Sequence, residues 1–215
     1  MATLLLWLGF EPGAIDDCHW QALEARALAR APGVASRLRT ECLRILCISH
    51  RACAPPPLRQ LDHGECLLAD IAFATSDGAL KAGVQDAPAA VVHVDPRRGR
   101  LHLHRDRLGQ RPLVWTRVPD GVLVASGEHI LLAHPQVPAD WDPDYLVAYF
   151  GAAAPPAAAT AYRAIHTVAA GESLRLDARR SDRTLSLLEP DPAAARLPAT
   201  APPAGAATHR ALPVR

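Results

Sequence analysis

Between residues 90 and 126 the chain alternates short apolar runs with turn chemistry, and no other feature constrains its fold as much. Ala90, Val91, Val92, His93 and Val94 form a β-prone run, and Asp95, Pro96, Arg97, Arg98 and Gly99 supply a turn. Leu101, His102, Leu103 and His104 then alternate as a returning strand. Residues 113–115 and 122–126 repeat the pattern around Pro119, Asp120 and Gly121. Consecutive hairpins imply antiparallel sheet.

The flanks extend this reading. Residues 3–10 are an apolar strand ended by Pro12 and Gly13. Asp16 and Asp17 can cap a helix whose Trp20, Leu23, Ala27 and Leu28 share one face, stopped at Pro32 and Gly33. Residues 43–48 and 66–73 read as strands. Asp142 caps a further helix with Pro143 in its first turn, Leu146, Tyr149 and Phe150 on its apolar face, and Gly151 at its end. Residues 173–177 alternate as a strand, with residues 184–188 as its partner. From residue 190 onward Ala, Pro, Arg and Thr dominate without periodicity, which predicts a disordered tail over 190–215.

Composition excludes several classes. With 23 basic and 22 acidic residues, the chain offers no electrostatic case for nucleic acid or an anionic membrane. Arg97, Arg98 and Arg100 read as a solvated hairpin tip. No apolar run is long enough to span a bilayer, and the start lacks signal-peptide features, so a cytoplasmic location is expected. The five cysteines are odd in number and include no C-x-x-C pair, so they read as buried free thiols. Cys47, His50 and Cys53 at spacings of three, and His102 with His104, lack further ligands, so no metal site is expected.

Arg105-Asp106-Arg107-Leu108-Gly109-Gln110-Arg111-Pro112-Leu113-Val114-Trp115 resembles the R-D-x-x-G-x-[KR]-P-L signature of the asparagine synthetase family. Ala125 and Ser126 resemble its A-S-E element, and Leu131, Leu132, His134 and Pro135 its L-L-x-H-P element. Tyr162, Arg163 and Ile165, then Gly171 and Leu174 to Asp177, follow in family order. The resemblance implies a type 2 glutamine amidotransferase-like domain over residues 1–189. Its fold would be α+β, an Ntn-hydrolase-like αββα sandwich of two antiparallel sheets, shortened in the middle.

In that family a cysteine directly after the initiator Met attacks glutamine, with its own amine as base. Here Ala2 stands in that place, and Thr3 would serve only after removal of two residues. Asp70, Ile71 and Ala72 replace an Asn-Gly-Glu loop. Arg44 is the one candidate remnant of the substrate pocket, with a plain strand-flank arginine as the alternative. Arg105, Asp106, Gly109, Arg111 and Pro112 read as architecture, not catalysis. No catalytic residue and no cofactor is therefore expected.

The family's S-G-G-x-D-S pyrophosphate loop has no counterpart in the chain. Relatives without the cysteine include β-lactam synthetases and lasso-peptide cyclases, whose substrates bring their own amine. The expected role is a scaffold domain of such an ATP-dependent ligase, with the lasso-peptide cyclase branch preferred. Its partners would be an ATP-pyrophosphatase synthetase domain or protein and a precursor peptide. A free-standing module that binds a separate synthetase is the alternative, and an active glutaminase is disfavoured. The composition change near residue 190 predicts that the reading frame is truncated or shifted there, or that the synthetase is encoded separately.

Overall fold

The computed structural model describes residues 2–30, 33–49, 58–61, 64–71, 88–151, 153–178 and 185–188. The first strand, β1 (Ala2–Gly9), leads into α1 (Asp17–Arg30), β2 (Val34–Arg39) and β3 (Leu43–Ser49). Then come β4 (Leu58–Gln60), β5 (Cys66–Ile71), β6 (Ala89–Asp95) and β7 (Arg100–Arg105). The hairpin β8 (Val114–Val118) and β9 (Gly121–Ala125) precedes α2 (Glu128–Leu131), α3 (Pro143–Phe150) and β10 (His166–Thr167). The last hairpin is β11 (Ser173–Ala178) with β12 (Leu185–Leu188).

The strands form two six-stranded sheets, ordered β10-β8-β9-β1-β3-β2 and β12-β11-β7-β6-β5-β4. Every pairing among the described residues is antiparallel. The chain is therefore an α+β fold of two antiparallel sheets, as expected. Leu4, Leu6, Leu8, Ile45 and Val124 of the first sheet meet Leu68, Val92, Leu101 and Leu103 of the second in one buried core. Each such side chain withdrawn from water is worth about 1.5–3 kcal/mol. The opposite face of the first sheet, with Leu5, Trp7 and Leu46, packs against Trp20, Leu23 and Ala27 of α1 and Ile130 and Leu131 of α2. These are alternate residues of the same strands, so β1 and β3 are buried on both faces. That explains their unbroken apolar sequence.

Local chemistry fixes the ends. Asp16 caps α1 by accepting the His19 N–H at 2.9 Å. Asp142 caps α3 by accepting from Asp144 N and Tyr145 N, with Pro143 in the first turn. Gly121 lies so close to β1 that a Cβ there would run into the Leu8 carbonyl.

Three features depart from the sequence reading. β2 is a polar, largely exposed edge strand that the apolar pattern did not announce. The apolar face of α3 is left largely uncovered by the described residues: Val147, Tyr149 and Phe150 are exposed, Leu146 is half-buried, and no residue of the helix is buried. The second helix layer is not seen among the described residues. The outward face of the second sheet carries the row Leu67, His93, His102 and Arg175, and no described helix packs on it. Residues 72–87, the expected disordered tail, His50 and Cys53 lie outside the described residues.

Candidate functional site

Ala2 opens β1 opposite Ser49 of β3, and its methyl group joins the core between the sheets. Its N–H donates to Asp70 Oδ1 at 2.8 Å. Asp70 projects inward from β5 opposite Ala90, almost fully buried. A buried carboxylate must be paired, and Arg111 supplies the charge, its Nε 3.7 Å from Asp70 Oδ2. Arg111 is itself buried, and its N–H donates to Asp106 Oδ1 at 3.1 Å. A polar line thus runs from Ala2 through Asp70 and Arg111 to Asp106.

Asp106 is the hub of the signature segment. Its Oδ1 also accepts from Ala89 N at 3.2 Å, and its Oδ2 accepts from Gln110 N at 2.9 Å. Its own N–H donates to the Ala89 carbonyl, and its carbonyl accepts from Gly109 N and Gly171 N, each at 2.9 Å. Burial pushes its carboxyl up. The N–H groups of Gln110, Arg111, Ala89 and Leu108 outweigh that and hold it below the usual 3.8.

Arg105 is held by carbonyl and hydroxyl oxygens, with Asp106 acting on it only through its charge. Its guanidinium donates to the carbonyls of Arg111 (2.9 Å), Val168 (2.9 Å) and Gly109 (2.7 Å), and to Thr167 Oγ1 (3.1 Å). Burial lowers its pKa. Gly109 takes φ +62, and a Cβ there would press on Ala170 and on the Arg105 guanidinium. Pro112 leaves this loop at the surface, directly before buried Leu113. The signature residues Arg105, Asp106, Gly109 and Arg111 therefore come together. They brace the loop between β7 and β8 against the crossing from β10 to β11.

Arg44 lies elsewhere. It pairs with Trp7, at the other end of β1 from Ala2. Its guanidinium donates to the Thr40 carbonyl and to Asp17 Oδ1, the latter at 3.2 Å. The structure does not bring Arg44 beside Ala2.

Neither Cys18 nor Cys47 is placed to act as a nucleophile there. Cys18 is exposed on α1, against the reading of the cysteines as buried, because the helix turns it away from the face that Trp20, Leu23 and Ala27 bury. Cys47 is buried opposite Leu4, and burial, reinforced by nearby Cys66, pushes its thiol up to about 12. It stays protonated at neutral pH. No group of three or more His, Cys, Asp or Glu able to hold a metal occurs among the described residues. Nor is any described helix long and apolar enough to cross a membrane.

Asp70, which the sequence reading treated only as a loop replacement, is the buried acid that holds the Ala2 N–H. Its signal was present: a lone acid inside an apolar strand must find a buried cation.

Residues 88–185 match a family model described as a glutamine amidotransferase domain. No curated protein matches the chain. Among solved structures, the glutamine phosphoribosylpyrophosphate amidotransferase from B. subtilis, complexed with ADP and GMP, is similar at 11% identity and a TM-score of 0.49. The match covers 86% of this chain and 48% of that one, so the chain spans about half its length. The segment from β6 to β11, which holds the Arg105–Asp106–Arg111 hub, thus lies within the part of the chain that matches a glutamine amidotransferase domain.

Proposed function

We propose that this chain is a non-catalytic glutamine amidotransferase-like domain, acting as scaffold to an ATP-dependent amide-forming ligase of the asparagine synthetase type. The lasso-peptide cyclase branch fits best, because its substrate carries its own amine and needs no ammonia. The reading rests on Ala2. In the active relatives this position supplies the attacking thiolate; here a methyl group sits in the core and the adjoining N–H is held by a buried carboxylate. Removing the nucleophile removes the covalent route to glutamine hydrolysis.

The test is ammonia release by the purified protein incubated with L-glutamine. Release at the level of the protein-free blank is expected, and turnover above it would overturn the non-catalytic reading. The ligase role is tested separately by co-expressing the chain with an ATP-pyrophosphatase-type lasso-peptide ligase and its precursor peptide. Co-purification, with precursor cyclisation that depends on this chain, is the expected result. Full ligase activity without the chain would remove the scaffold role.

A further inference from the structure

His134, in the turn that follows α2, is 1% exposed. Its ring meets Trp7 of β1 edge-on, with centroids 4.9 Å apart, and His19 of α1 at 4.8 Å. It therefore stands where α1, β1 and the end of α2 come together, beside the core formed by Trp7, Trp20, Leu23, Ile130 and Leu131.

The hydrogen bonds fix the protonation state of this ring. The Gln136 N–H donates to His134 Nδ1 at 3.2 Å, so Nδ1 carries a lone pair and the single proton sits on Nε2. Nε2 is buried and has no hydrogen-bond partner, and neither has Trp7 Nε1 beside it. A second proton would have to enter at Nδ1, against the Gln136 N–H, and would place a full charge in an apolar contact. The site accepts a neutral imidazole and rejects an imidazolium.

Neighbouring charges do not reverse this. From α1, His19 faces the ring, and Asp16 is already engaged by the His19 N–H at 2.9 Å. Asp17, also on α1, pairs with Arg39 and with Arg44, the residue opposite Trp7. Asp120 acts through its charge from the turn between β8 and β9, and α2 itself carries Glu128 and His129. Burial and His19 outweigh Asp120 and Asp16, and push His134 down from 6.5 to about 4.

We propose that His134 is an acid-sensitive latch: neutral, it holds α1 against the outer face of the first sheet, and protonated, it releases α1 while the core between the sheets stays closed. That inner core contains no histidine, so the response belongs to the α1 side alone. The folded pKa of His134 lies below its free value, so the latch is fully closed above 6.5 and weakens as pH falls towards about 4. Glu128 works in the opposite direction. Burial raises its carboxyl, so lowering the pH favours its closed form. The Asp16 cap lies below its ordinary 3.8 and stays ionised throughout the window.

The test is hydrogen–deuterium exchange of the full chain between pH 7 and pH 5, read by mass spectrometry and corrected for the intrinsic exchange rate at each pH. Protection of the α1 peptide is expected to fall about twenty-fold over that range, as proton uptake drives the opening. The β6–β7 hairpin is expected to keep its protection. His134→Asn keeps an acceptor for the Gln136 N–H but cannot titrate, so its α1 protection is expected to stay flat. Loss of protection in α1 and β6–β7 together would be general acid unfolding and overturns the latch. So does an unchanged pH response in H134N. Should H134N fail to fold, proton NMR of the parent chain decides. A His134 ring that titrates near 6.5 with α1 still protected overturns the proposal, and one that gains its proton only as α1 opens supports it.

Discussion

At the scale of single residues, Asp106 shows how a short motif earns its place. It accepts backbone N–H groups from three positions while nearly fully buried. Asp106→Ala would leave those donors without partners, at a cost of about 3 kcal/mol or more in urea unfolding. The same bonds set a pH dependence. The folded pKa lies below the unfolded value of 3.8, so this stabilisation is complete above 3.8 and is lost as pH falls through the lower folded value. Asp106→Asn should therefore lose less stability than the parent chain across that acid window. Parallel losses in the two proteins would contradict the assignment. The hub was visible in the sequence as a motif, but its partners were not. Ala89 and Gly171 lie 17 and 65 residues away in opposite directions, and nothing local in the sequence announces either contact.

At the scale of elements, the hairpins from β6 to β9 were legible because alternation and turn residues agree. The helix at 143–150 was legible for the same reason, through Asp142, Pro143 and Gly151. Two things were not. β2 lacks an apolar face because it is an edge, and α3 has an apolar face that the described residues leave largely uncovered. Periodicity reports that a face is apolar but not what covers it. The place of Arg44 was hidden in the same way: strand order, invisible in the sequence, puts it at the far end of β1 from Ala2. Arg105 ties two elements together, the loop after β7 and the β10–β11 crossing. Arg105→Lys keeps the charge but loses the planar fork, and should cost about 2 kcal/mol in urea unfolding with the fold retained. An unchanged midpoint would show that the brace carries no weight.

At the scale of the molecule, both sheets close over one core, and thiol chemistry reads how tightly. Cys47 and Cys66 lie in that core, whereas Cys18 is exposed. Burial raises the thiol pKa of both, Cys47 to about 12. Treated with Ellman's reagent at pH 8 and mapped by mass spectrometry, Cys18 should react at once and Cys47 only in denaturant. Equal rates would mean that the sheets separate readily.

The order in which the chain visits the two sheets has a kinetic consequence. The strand made first, β1, sits in the middle of the first sheet, yet one of its two neighbours is β9, more than a hundred residues later. The chain meanwhile builds β4 to β7 of the other sheet, and the hub closes only when Gly171 arrives. A growing chain on the ribosome therefore carries the exposed run Leu4-Leu5-Leu6-Trp7-Leu8 until most of the domain has emerged. Such long-range pairing slows folding and leaves sticky intermediates. Holdase chaperones and slow translation should accordingly decide how much of this protein reaches its native form.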